Sequence, residues 1–193
     1  MVKLEMDVTT LEKTAEAMDL TTKEVRKCIS RALNRTLTST RAEQIRQTRE
    51  NYTISATKLR NSINLFTSNS NNLKAKLISS GRPIGLDHFK LSPKKRLKRP
   101  RTLMIEVKKG ELKSLPHSFI AYKDGKLGAF SRTGRFKTIP GKKGSIQREI
   151  IRRLYSASEP QMLGNTNIIN YLQGYADEKF TERLEHELDR VIK

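Results

Sequence analysis

Val2, Leu4, Met6 and Val8 alternate with Lys3, Glu5 and Asp7, and this period of two predicts a half-buried strand at the start of the chain. Thr9 or Thr10 then caps a short helix with Leu11, Ala15 and Met18 on one side. Thr21 and Thr22 offer a second cap, and Glu24 lies three residues beyond Thr21, the spacing of a capping box. From there Val25, Ile29, Leu33, Leu37 and Ile45 recur near helical spacing, predicting a long helix to about Glu50 whose other faces carry Arg26, Arg31, Arg35, Arg41, Arg46 and Arg49. Ser55 can cap a short helix bearing Leu59 and Ile63, and Thr67–Asn72 reads as a loop by composition.

The middle of the chain reads as strands. Leu73, Ala75 and Leu77 alternate with Lys74 and Lys76 up to Gly81-Arg82-Pro83. Ser92–Arg101 holds two prolines and six cations, unsuited to a central strand. Leu103–Val107 predicts a strand with Gly110 in the following turn. Residues 119–122 and 127–131 flank Asp124-Gly125, the preferred pair for a tight hairpin turn. Gly134–Gly144 reads as a basic, glycine-rich loop, after which Ser145 caps an expected helix bearing Ile146, Ile150, Ile151 and Leu154. A terminal amphipathic helix carries Ile168, Leu172, Tyr175, Phe180, Leu184, Leu188 and Val191. The fold class is therefore α+β, with a long N-terminal helix and a C-terminal helix packed on a small antiparallel sheet. Residues 1–155 are expected to form the main domain and 156–193 a helical arm.

Charge sharpens this picture. Between Arg82 and Arg153 stand 21 Lys/Arg against 5 Asp/Glu, a net of +16 within a chain whose total is +19. Residues 156–193 run the other way, with 4 basic and 7 acidic groups. A positive field confined to one segment points to a polyanion or an acidic partner, because clustered like charge opposes compaction. Only 35% of residues are hydrophobic, so some segments are expected to gain order from other chains. No stretch approaches the ~18 consecutive apolar residues of a membrane span, and the N-terminus lacks the apolar core of a signal peptide. A cytoplasmic product with no membrane partner is expected.

Catalytic chemistry is thin. The single Cys28 sits on the long helix as a packing residue, and His88, His117 and His186 are too far apart in sequence to suggest a metal site. Gly141-Lys142-Lys143-Gly144-Ser145 resembles a phosphate cradle but lacks P-loop spacing, leaving anion binding at the expected helix start as its only role. Glu178, Glu182 and Glu185 follow helical spacing on a solvated face. No enzyme, no cofactor and no metal are expected. Lys94, Lys95, Arg96, Lys98, Arg99 and Arg101 concentrate a phosphate-binding potential without any sequence-reading motif, so contact with DNA would go to the backbone.

Several short motifs, taken in order, resemble the prophage minor tail protein Z family. They are Ala32-Leu33-Asn34-Arg35-Thr36 with Arg41 and Ile45-Arg46, then Lys58-Leu59-Arg60, then the turn from Gly81 to Phe89. Pro116-His117-Ser118-Phe119-Ile120-Ala121 and Phe130-Ser131-Arg132-Thr133-Gly134-Arg135 follow, the latter matching a Phe-x-Arg-x-Gly hairpin end. Thr138-Ile139 and Lys143-Gly144-Ser145 stand where the family tends to have Pro-Ile and Gly-Pro-Ser. The likeness spans about Ile29 to Leu154.

This resemblance implies a tail-completion-like α+β fold and a structural role at the head-proximal end of a bacteriophage tail. There a homo-oligomeric ring, six-fold in the resembling systems, joins the tail tube or terminator to the head connector around the DNA channel. The basic loops (Lys94, Lys95, Arg96, Lys98, Arg99, Arg101, Arg132, Arg135, Lys142, Lys143) would contact DNA or an acidic neighbour. Leu172, Tyr175, Leu184 and Leu188 would supply subunit contacts. The alternative is a sequence-independent nucleic-acid-binding protein, which the basic charge explains equally well. A nuclease would need a carboxylate or histidine cluster that the sequence does not show.

Overall fold

Helix α1, Thr22–Asn51, carries two adjacent buried stripes. One is apolar (Val25, Ile29, Leu33, Leu37, Ile45) and the other starts at Cys28 and Ala32 and continues as small or polar residues, Thr36, Thr40, Gln44 and Thr48. Both stripes repeat at i, i+4, so more than half the helix girth faces protein. The computed structural model describes residues 2–4, 22–95, 101–123, 125–141 and 144–192. The helix expected near Leu11, Ala15 and Met18 lies outside the described residues.

Strand β1 (Val2–Leu4) precedes α1, and helix α2 (Ala56–Asn61) and strands β2 (Ile63–Phe66) and β3 (Lys76–Ser79) follow it; the three strands form an antiparallel sheet in the order β1-β3-β2. Ile63 was expected on the helix. Instead α2 stops at Asn61, the Ser62 hydroxyl donates to the Leu59 carbonyl at 2.8 Å, and Ile63 opens β2 opposite Ser79. Helix α3 (Glu159–Leu163) and the terminal helix α4 (Thr166–Ile192) complete this unit, which comprises residues up to Arg49, Ala56–Gly81 and Glu159 onward.

Two contacts to α4 and one to α3, just before it, set α4 antiparallel to α1. The Cys28 thiol reaches the Glu187 carbonyl at 3.5 Å, Arg31 meets the Glu187 carboxylate at 3.5 Å, and the Gln44 amide donates to the Leu163 carbonyl at 3.1 Å. Asn34 faces elsewhere: its amide donates to the Ser68 carbonyl at 3.0 Å and its oxygen accepts from the Ser68 N–H at 2.8 Å. Arg26 adds a bond to the Ser70 carbonyl at 2.8 Å, so α1 holds the 67–72 loop as a fixed element.

The expected division at residue 155 gives way to a different one. Residues 156–193 are not a separate arm, because Met162, Leu163, Ile168, Leu172, Ala176, Phe180 and Leu184 are all buried in the first unit. Leu172 and Leu184 therefore cannot serve as free interface residues. An amphipathic stripe records only that a face is covered, and here the cover is the chain itself.

The second unit comprises Glu50–Ser55 and Arg82–Ser158. It is built of β4 (Pro83–Gly85), β5 (Lys90–Ser92), β6 (Leu103–Glu106), β7 (Leu112–Leu115), β8 (Ser118–Lys123), β9 (Lys126–Gly141), β10 (Gly144–Arg153) and β11 (Tyr155–Ser158). The sheets run β5-β6-β7, β10-β9-β8 and β11-β4. Ile84, Leu86, Phe89, Leu91, Leu103, Ile105, Ile120, Ala129 and Phe130 form its apolar interior. Arg153 binds Asp87 at 2.8 Å and stacks over the Tyr155 ring. A Cβ at Gly85 would come within 2.5 Å of the Asp87 carboxylate and 3.0 Å of that guanidinium, which accounts for the glycine.

Three outcomes follow from these contacts. Leu184→Asp will unfold the first unit rather than merely block assembly, costing well over ~2 kcal/mol by burying an unpaired carboxylate; a circular-dichroism melt that matches the parent contradicts this. Phe130→Ala will cost about 3–5 kcal/mol in urea denaturation, and Phe119→Ala, at a half-buried site, distinctly less. Glu43 accepts from Arg46 at 2.8 and 2.6 Å, and that bond holds its carboxyl at about 2 instead of 4.5. Its stabilisation is thus present above the ordinary carboxylate range and lost as pH falls toward 2. Glu43→Gln will cost about 1–3 kcal/mol at neutral pH and flatten the acid limb of the stability curve; an unchanged acid limb would exclude Glu43 from it.

Candidate functional site

The stretch expected to be a loop followed by a helix is neither. β9 runs as one strand from Lys126 to Gly141, and β10 returns from Gly144 to Arg153. Ser145 caps no helix, so the anion site expected at a helix start does not exist. The reason lies in the residue types. Ile146, Ile150 and Ile151 are β-branched and prefer extended backbone; the spacing of four between Ile146 and Ile150 fits one face of a strand as well as one face of a helix.

Pairing defines a two-stranded ribbon. β8 accompanies β9 only as far as Ser118↔Ser131. Beyond that point β9 pairs with β10 alone, from Phe136↔Glu149 through Lys137↔Arg148, Thr138↔Gln147, Ile139↔Ile146 and Pro140↔Ser145 to Gly141↔Gly144. Cross-strand partners share a face and successive residues alternate. One face thus presents Lys137, Arg148, Ile139 and Ile146, and the other Phe136, Glu149, Thr138, Gln147, Pro140 and Ser145. Phe136 is 61% exposed and Ile146 54%, values at odds with an element folded for its own sake.

The entry to the ribbon is a bulge. Thr133, Gly134 and Arg135 oppose the single residue Ile150, and Gly134 takes φ +71°, a conformation that costs glycine little. Glu149 closes the bulge: one carboxylate oxygen accepts from Arg132 at 2.7 Å and the other from the Gly134 N–H at 3.0 Å. The Arg132 guanidinium lies over the Phe119 ring at 5.3 Å, and Phe119 in turn stacks on Phe130. Arg132 is therefore committed to its own hairpin, and the family-like Phe-x-Arg-x-Gly stretch is a bulge in mid-strand rather than a hairpin end. Its bond to Glu149 holds that carboxyl below the usual range.

The remaining basic residues sit elsewhere in the second unit. β5 and β6 pair from Lys90↔Glu106 to Ser92↔Met104, and the described Lys94, Lys95 and Arg101 lie between these two strands in sequence. Lys94, Lys95 and Arg101 are exposed, and among the described residues no carboxylate pairs with them. Arg135 is exposed as well. Arg96, Lys98, Arg99, Lys142 and Lys143 lie outside the described residues.

In the first unit Tyr175 and Leu188 are half-buried, and Tyr175 stacks on the exposed Tyr171. Among the described residues no group of three or more His, Cys, Asp or Glu could hold a metal ion, and no helix is long and apolar enough to cross a membrane. Burial raises the Cys28 thiol above its ordinary value.

Sequence reasoning missed the ribbon, although two signals pointed to it. Phe136, Thr138, Ile139 and Ile146 are β-branched or aromatic residues that favour extended backbone, and Gly141 and Gly144 bracket a two-residue connection. Comparison with protein-family models, curated proteins and solved structures finds no match.

The Glu149 contact carries a pH dependence of known sign. A lowered carboxyl binds its partners above the ordinary carboxylate range and releases them as pH falls through the lowered value. Amide resonances of Gly134–Ile139 will therefore lose ribbon-like dispersion at acid pH before those of Ile120 and Ala129, and Glu149→Gln will produce the same change at pH 7. Simultaneous loss at all these sites would show that the bulge has no separate role.

Proposed function

We propose that this chain is a structural protein of a tailed bacteriophage or prophage, a minor tail or tail completion protein of the neck. In this reading copies of it form a ring between the tail tube or terminator and the head connector, around the DNA channel. The observation that carries the reading is the cationic ribbon from Phe136 to Glu149. Isolated two-stranded ribbons are marginal in water, and one with exposed Phe136 and Ile146 and a half-buried Ile139 suits a subunit that completes its fold against neighbours. The ordered series of motifs from Ala32 to Arg135 supports the same assignment by resemblance. The second reading, a sequence-independent nucleic-acid binder, draws on the exposed Lys94, Lys95 and Arg101, which no described carboxylate neutralises.

The experiment is genetic and microscopic. Removal of the gene from the phage or prophage that carries it will leave filled heads and tails that fail to join or retain DNA, and tagged protein will label the head–tail junction. The triple variant Lys94→Glu, Lys95→Glu, Arg101→Glu will fold normally yet lower infectious particles by about tenfold or more, since several charges facing one partner act together. Joined, infectious particles from the deletion would overturn the tail assignment. Tight, salt-dependent DNA binding by a chain that never enters particles would favour the second reading.

A further inference from the structure

The ribbon face formed by Lys137, Arg148, Ile139 and Ile146 sets two like charges directly opposite each other, an arrangement that weakens a strand pair unless an anion meets it. The same face places an aliphatic pair next to the cations, one side-chain layer further along. Any surface that fits must offer carboxylates beside apolar or aromatic groups in the same order.

The chain itself carries such a surface on α4. Tyr171, Tyr175, Glu178, Glu182, Glu185 and Asp189 follow one another at steps of four and three residues, which brings them onto one stripe of the helix. Tyr171 and Tyr175 stack with ring centroids 6.3 Å apart, and the Tyr171 hydroxyl bonds Glu43 of α1, so that its ring is what the stripe presents. Glu178, Glu182, Glu185 and Asp189 are exposed, with Glu182 accepting from Lys179 at 2.5 Å. Dimensions agree as well. Along the ribbon the aliphatic and cationic layers lie two residues apart, roughly 7 Å. Along the helix the tyrosine pair and the Glu178/Glu182 pair are centred seven residues apart, roughly 10 Å, a difference the long Lys and Arg side chains can span.

We infer that the Lys137/Ile139/Ile146/Arg148 face of one copy docks on the Tyr171–Asp189 stripe of a second copy, with isoleucines on tyrosines and cations on glutamates. The two surfaces differ, so the contact is head-to-tail, and repeating it generates a ring where the rotation closes. The inference rests on the ring reading above and names its contact surfaces. It also restores Tyr175 to an interface from which Leu172 and Leu184 are excluded by burial.

Sedimentation velocity on the purified full chain tests it, with circular-dichroism melts as the folding control and a fluorescent DNA duplex as a competing ligand. The parent will self-associate, more strongly at low salt. Lys137→Glu with Arg148→Glu, and separately Glu178→Lys with Glu182→Lys, will each weaken association on the order of tenfold or more at unchanged melting temperature. The four changes together will restore it. If the ribbon variant fails to fold, the helix variant reads the same contact independently.

A parent that stays monomeric at its highest soluble concentration overturns the inference, as does association indifferent to either reversal. Loss of duplex binding by the ribbon variant with association intact assigns the face to nucleic acid instead. If association ignores the reversals while gene deletion still leaves heads and tails unjoined, the tail reading stands and only this contact fails.

Discussion

Where β9 outruns β8, the Glu149 carboxylate takes up both the Arg132 guanidinium and the Gly134 amide, and the distal ribbon depends on that contact. Before it, β9 has a neighbour on each edge and buries Ala129 and Phe130. Beyond it there are only two strands, exposed on both faces, with like charges paired at Lys137 and Arg148. A bulge bends its strand and increases local twist, so the clasp fixes where the ribbon leaves its sheet. Arg132 contributes its charge to this clasp and its planar face to Phe119, a division of labour a lysine could not reproduce.

The first unit solves a different problem with the same economy. α1 buries a polar stripe beside its apolar one, and the small side chains of Ala32, Thr36 and Thr40 allow close packing along it. Directional bonds then fix what hydrophobic burial leaves free: Gln44 to Leu163, Cys28 and Arg31 to Glu187, Asn34 to Ser68. With its inner face so committed, α4 keeps its acidic stripe outward, while the half-exposed Tyr171 reaches back to hydrogen-bond Glu43 of α1. Opposite charge is thereby segregated within one chain, a basic second unit and an acidic helix, which is the arrangement that favours contact between unlike faces of identical copies.

Much of this was legible in the sequence, and the failures share a cause. Long helices announced themselves through Val25-Ile29-Leu33-Leu37 and Ile168-Leu172-Phe180-Leu184, and the Phe119–Phe130 hairpin through Asp124-Gly125. The α+β class followed from these elements. The ribbon did not, because an element solvated on both faces has no reason to alternate apolar with polar residues. Its isoleucines at 146 and 150 satisfy helix and strand spacing alike. Leu172 and Leu184 were misplaced for a related reason: periodicity shows that a face is covered and is silent on whether the cover belongs to the same chain. The Glu149–Arg132–Gly134 clasp joins residues fifteen to seventeen apart through a bulge, which no spacing rule encodes.

The central claim is that the ribbon becomes part of a larger assembly. Amide hydrogen exchange over Phe136–Glu149, measured on the free chain and on assembled particles containing it, tests that claim most directly. Fast exchange in the free chain and strong protection in the particle is the result this account predicts. Equal exchange in both states, with protection appearing elsewhere on the chain, would contradict it.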